Sequence, residues 1–130
     1  MIVVDASALI EVLLRTPAAH AVESHLFAPG QTLHAPHLLD VEVAQVIRRY
    51  ATRGEIAGER GGVALDDLGD LRIQRYPHDF LLPRVWALRN NVTAYDAVYI
   101  ALAEVLDAVL LTRDHRLAGA AGHHARVELV

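Results

Sequence analysis

The sequence predicts an α/β fold, a three-layer α/β/α arrangement around a central parallel sheet of about four to five short strands. Two observations point there. Short apolar runs that read as strands alternate with segments of helical periodicity, the pattern of βαβ units whose parallel sheet is covered on both faces. The chain is 130 residues long, carries no repeat, linker or low-complexity stretch, and fits a single domain over residues 1–130.

Ile2-Val3-Val4 is a β-branched run that ends in Asp5, and Ser7 stands before an apolar-periodic helix over residues 8–14. Thr16-Pro17 opens a second helix to about Phe27, with proline in the first turn, and Pro29-Gly30 ends it. A short strand over residues 33–35 leads to Pro36, which opens a long helix through Glu42, Val43, Val46, Ile47 and Tyr50 that Gly54 closes. Residues 59–71 read as a helix weakened by three glycines, and residues 73–76 as a strand. Pro77 and Asp79 precede a helix over residues 80–89, with Phe80 and Trp86 expected in the core. Asn90-Asn91 breaks the chain, and Thr93 caps a helix over residues 94–106. Residues 109–112 form an apolar strand, residues 114–121 a short helix and residues 127–130 a final strand.

Composition removes several chemistries. No cysteine is present, so disulfides, thiol nucleophiles and zinc-thiolate sites are excluded and any metal is held by oxygen or imidazole. All 12 basic residues are arginine; the absence of lysine excludes a P-loop and a Schiff base. The formal net charge of −4 does not veto RNA, because divalent cations mask carboxylates and arginines suit phosphate. No apolar run approaches a membrane span, and the start carries Asp5 within its apolar stretch and no basic region before it, unlike a secretory signal. A cytoplasmic protein without membrane contact is expected. Hydrophobic residues make up 53% of the chain, more than its interior can hide, so a dimer or bound partner is expected.

Ligands of open α/β sheets sit beyond the carboxyl ends of the strands. Asp5 follows the first strand directly and Asp114 follows residues 109–112 by two positions, while Asp96 lies in the first turn of its helix and Glu42 about two turns into another. Asp96 and Asp114 also suit helix starts without any function, and Glu42 suits a solvated face. Asp5 is hardest to explain so, because a carboxylate ending an apolar strand is partly buried and needs a partner. Asp40 should not share a site with Glu42, since two residues on a helix diverge by about 200°. Asp107 precedes its strand and belongs at the opposite edge. His34 and His37, and His123-His124, lack metalloprotease spacing and are read as surface or packing residues.

Four segments together resemble the successive motifs of the PIN-domain family: V-V-D-A-S-A-L at 3–9, Pro36 to Glu42, Y-D-A-V-Y-I-A-L-A-E at 95–104, and L-L-T-R-D-H-R-L at 110–117. Length and spacing are similar to its VapC-type toxins. The resemblance implies a PIN-like fold and a metal-dependent endoribonuclease, the toxin of a VapBC-like pair, that cleaves RNA with a metal-activated water. It implies Asp5, Glu42, Asp96 and Asp114 as catalytic and metal-binding carboxylates, with Asp5 and Asp96 the first choice for direct ligands. Ser7, Thr112 and Arg113 are expected beside the substrate; Ser7 is either a plain helix cap or a group that orients Asp5. All-oxygen ligands imply Mg²⁺, with Mn²⁺ a substitute. The resemblance further implies a VapB-like antitoxin seated in an apolar groove of the N-terminal helices and residues 43–50, in competition or combination with a homodimer. Two other readings stay open. A Mg²⁺-dependent phosphatase-like domain would want a second Asp after Asp5-Ala6 and a lysine, and a non-catalytic RNA-binding PIN module would have lost a carboxylate.

Overall fold

A computed structural model describes residues 1–130. Five parallel strands, β1 (Ile2–Val4), β2 (Leu33–Pro36), β3 (Ile73–Tyr76), β4 (Val109–Thr112) and β5 (Arg126–Leu129), lie in the order β3-β2-β1-β4-β5. All three β1 side chains are buried, which requires cover on both faces and accounts for a strand without polar alternation. The helices are α1 (Ala6–Leu13), α2 (Ala19–Leu26), α3 (Leu38–Thr52), α4 (Gly58–Asp70), α5 (Leu82–Ala87), α6 (Ala94–Leu106) and α7 (His115–Ala118). Helices α1 to α4 pack on one another over one face, and α6, backed by α5, lies across β2, β1 and β4. The three-layer parallel architecture is the one expected. Cover thins at the edges, where Gln74 of β3 and three of the four β5 residues lie outside the core.

The chain leaves β1 toward β2 on one side and returns through β4 on the other, so the segments after β1 and β4 part and leave a crevice between them. Helix α6 ends at the turn into β4, so its start lies at the strands' carboxyl ends, beside that crevice. Helix α3 starts from the same edge.

Several boundaries differ from the expectations. Helix α1 begins two residues earlier, because Asp5 rather than Ser7 is its cap: the Asp5 Oδ1 accepts the Ala8 N–H at 3.0 Å. Pro36 does not open a helix but ends β2, beyond the residues that pair with β1, and α3 starts at Leu38. Pro17 sits in a turn ahead of α2 rather than in its first turn. Phe80 and Trp86 are not core residues: they stand 52% and 68% exposed, because the inward stripe of residues 81–88 is Leu81, Val85 and Leu88. Helix α4 uses Gly61 for close approach, since a Cβ there would lie 2.9 Å from the Ile47 side chain on α3. The expected position of Asp107 at the far edge of the sheet holds, where Arg126 donates to its carbonyl.

Candidate active site

The register of β1 and β4 pairs Val4 with Leu111, so the next residues out, Asp5 and Thr112, meet across the crevice. Asp5 is 5% exposed and Thr112 fully buried. The Thr112 hydroxyl donates to Asp5 Oδ2 and accepts the Asp114 N–H at 3.0 Å. The Ser7 hydroxyl donates to Asp5 Oδ1 at 2.8 Å and accepts the Arg113 N–H at 2.9 Å. Both carboxylate oxygens are therefore held, and both loops are tied through them.

Asp5 has its carboxyl pushed up, first by burial and additionally by the Asp114 charge, against the lowering effect of its three hydrogen bonds. Glu42 of α3 is raised by burial and by the charges of Asp96 and Asp5, while its bond from Tyr99 pulls the other way. Asp96, in the first turn of α6, is raised by burial and by Asp114, opposed by Arg116 and the Thr93 hydroxyl. These influences link the four carboxylates in a ring, Asp5 with Glu42 and Asp114, and Asp96 with the same two. Asp114 caps α7 by accepting the Arg116 N–H at 2.9 Å.

Tyr99 belongs to this site and was not anticipated. It is 2% exposed, one turn beyond Asp96 on α6, and its hydroxyl donates to Glu42 Oε1 at 2.5 Å. Burial and three neighbouring carboxylates push its own ionisation far above the usual tyrosine range, so it acts as a permanent donor. The spacing of three from Asp96 was the available signal, because side chains at i and i+3 share a helix face. Arg113 contributes its backbone N–H to Ser7, and its guanidinium is held by the Val130 carbonyl at 2.9 Å and Glu11 at 3.5 Å. Asp40 is occupied by a bidentate pair with Arg75, consistent with its exclusion. His34 is a packing residue, bonded to Thr32 and Tyr76.

No three of these acidic or histidine side chains close tightly enough to enclose an ion by themselves. The donor set is nonetheless suited to a hard divalent cation, which commonly takes one or two carboxylates and fills its remaining positions with water and substrate oxygen. Three carboxyls held toward their protonated form by burial and mutual repulsion are groups that such a cation would relieve.

A model of the PIN domain matches residues 2–122. The chain belongs to the PIN-domain family. Over 129 residues it is 45% identical to ribonuclease VapC1 of Mycobacterium tuberculosis, covering 98% of this chain and 96% of that protein. It is 43% identical over 130 residues to ribonuclease VapC12 of the same organism, covering 100% and 99% of the two chains. In fold it is similar to VapBC2 from Rickettsia felis, solved bound to a DNA fragment from its promoter, with a TM-score of 0.72 at 14% identity over 99% of this chain and 98% of that one. The PIN domain also has no helix long and apolar enough to cross a membrane.

Proposed function

We propose that this PIN domain is a metal-dependent endoribonuclease and the toxin of a VapBC-like toxin–antitoxin pair, working in the cytoplasm with Asp5, Glu42, Asp96 and Asp114 as its site. The observation that carries the reading is the convergence of four carboxylates on the β1/β4 crevice, one of them buried and clamped by two hydroxyls. The ribonuclease names of full-length relatives support the activity. Mg²⁺ is the proposed ion, with Mn²⁺ able to replace it; when bound, it supplies Lewis-acid charge and a lowered water pKa.

The chain's own residues then divide the work. Asp5 and Asp96 would supply the direct oxygens to such an ion. Ser7 and Thr112 fix the rotamer of Asp5, so its carboxylate would be oriented in advance for an ion. Tyr99 holds Glu42 by one oxygen and leaves the other free to accept from a water. Asp114, pinned through its own N–H to Thr112, completes the negative rim. Arg113 positions Ser7 through its N–H.

The single buried cluster that links residues from β1 to α7 supports reading residues 1–130 as one domain. A cleft lined by Ile10, Leu14, Tyr50 and Ile56 and edged by Glu11 and Glu55 is the proposed seat of an antitoxin segment with apolar and basic side chains. The exposed Phe80, Leu82 and Trp86 support self-association. The test is cleavage of a pool of structured RNAs by antitoxin-free protein, with Mg²⁺, with chelator, and with Asp96→Asn. Cleavage that needs the ion and vanishes in the variant is expected. Cleavage that survives in Asp96→Asn would refute the site.

A further inference from the structure

A site of four carboxylates repels the polyanion it is to cut, so some cation of the chain has to hold the backbone of the RNA beside it. Most arginines are committed elsewhere: Arg75 to Asp40, Arg84 to Glu104, Arg126 to Asp107, and Arg113 to Glu11 and Val130. Arg60 donates to the Leu13 carbonyl, and Arg89 bonds the Trp86 carbonyl and lies 4.8 Å over its ring. Others are free but distant. Arg15 follows α1 and Arg72 precedes β3, which puts both at the amino ends of the strands. Arg48, Arg49 and Arg53 fall in or after the last turns of α3, a helix of 15 residues that spans about 22 Å away from the crevice.

Arg116 differs from all of these. It is exposed, its guanidinium has no hydrogen-bond or ion-pair partner, and its backbone N–H is fixed to Asp114 Oδ1. It stands two residues beyond the Asp114 rim, in the helix that β4 feeds.

We infer that Arg116 is the phosphate-binding residue of this site, holding a backbone phosphate of single-stranded RNA next to the scissile one. The inference rests on the nuclease reading and names the group that receives its substrate. A guanidinium fork suits two phosphate oxygens, and an unpaired exposed one gives up no partner on engaging them. The contact is to backbone, so it supplies affinity without reading sequence.

The experiment measures binding apart from hydrolysis. A fluorescein-labelled phosphorothioate oligoribonucleotide is titrated by anisotropy in Mg²⁺ at several NaCl concentrations with the parent, Arg116→Ala, Arg116→Lys and Arg72→Ala. Arg116→Ala is expected to bind about tenfold more weakly. Its log–log salt slope should be shallower by about 0.7, one single-strand phosphate contact. Arg116→Lys should keep the slope and lose part of the affinity. Arg72→Ala, which removes a free arginine at the amino ends of the strands, should keep both the slope and the affinity. A pure counter-charge for Asp96 would leave the slope of Arg116→Ala at the parent value, and that result overturns the assignment. Cleavage of unmodified RNA by the parent, run alongside, separates the two readings: an active parent with an unchanged slope in Arg116→Ala sinks this inference alone. An inactive parent whose binding still depends on Arg116 supports it while the hydrolytic reading fails.

Discussion

Removing either hydroxyl that holds Asp5 separates the position of that carboxylate from its charge. Thr112→Val deletes a donor to Asp5 and the acceptor for the Asp114 N–H in a fully buried place, so it should cost about 1–3 kcal/mol in denaturant unfolding. Ser7→Ala should cost about 1 kcal/mol, because Ser7 is itself half-buried and Asp5 keeps its bonds from the Ala8 N–H and the Thr112 hydroxyl. Both should reduce cleavage by more than those stability losses explain, and Ser7→Ala turning over like the parent would leave Ser7 a plain structural group. The pH dependence has a definite sign. Asp5, Glu42 and Asp96 have folded-state pKa values above their ordinary ones, so the native state binds more protons than the unfolded chain between the two values. Their contribution to stability is therefore present at low pH and is lost as pH rises through the folded values. Glu104 works oppositely: burial pushes it up, but Arg84 and the His124 N–H outweigh this and lower it, so its contribution is lost as pH falls. Without metal, Asp96→Asn should melt higher than the parent at neutral pH, and the gap should shrink toward acid and on adding Mg²⁺. A variant that melts lower at neutral pH would show that Asp96 serves the fold instead. Asp5, Asp114 and Asp96 could be singled out from their places after strands and in a first helical turn, whereas Glu42 was singled out only through the resemblance. Tyr99 was not, because a tyrosine inside the apolar run Ala97–Ala103 reads as filling, and only its bond to Glu42 tells otherwise.

Helix α5 reaches the rest of the molecule mainly through α6, and Arg84 is the main polar tie. Its guanidinium forks onto Glu104 at 2.9 and 3.1 Å, and Glu104, whose side chain is 7% exposed, also accepts the His124 N–H. Arg84→Ala leaves that carboxylate with His124 alone, its N–H at 3.3 Å and its ring at 3.5 Å, and should cost about 2–4 kcal/mol, measured by unfolding. Arg84→Ala with Glu104→Gln should recover part of the loss. Recovery of nothing would mean that packing of the arginine stem, rather than charge, holds the pair. Strand and helix identities were legible along the whole chain, since apolar runs and 3.6-residue periodicity are set locally. Boundaries were less so. Asp5 and Ser7 are both good caps two residues apart, and which one caps depends on how far β1 pairs with β4, a long-range fact. Residues 80–88 carry two apolar stripes, and bulk favoured the one with Phe80 and Trp86 while packing on α6 selected the other.

Across the whole molecule, the strand order does the assembling: β1 in the middle and β4 beside it bring residues 5, 42, 96 and 114 to one edge. That convergence was read from motif order and not from any local signal, because no short segment contains two of the four residues. What stayed out of reach was the place of Arg116, whose significance depends on the other arginines being paired or far away. The four carboxylates are proposed to act as one divalent-metal site. Its most direct test is Mn²⁺ binding, followed by electron paramagnetic resonance of the free ion, in the parent and in Asp5→Asn, Glu42→Gln, Asp96→Asn and Asp114→Asn, each checked for folding. Saturable binding that Mg²⁺ displaces is expected, weakened in all four variants and weakened most at Asp5 and Asp96. Folded variants that all bind Mn²⁺ as the parent does would contradict it.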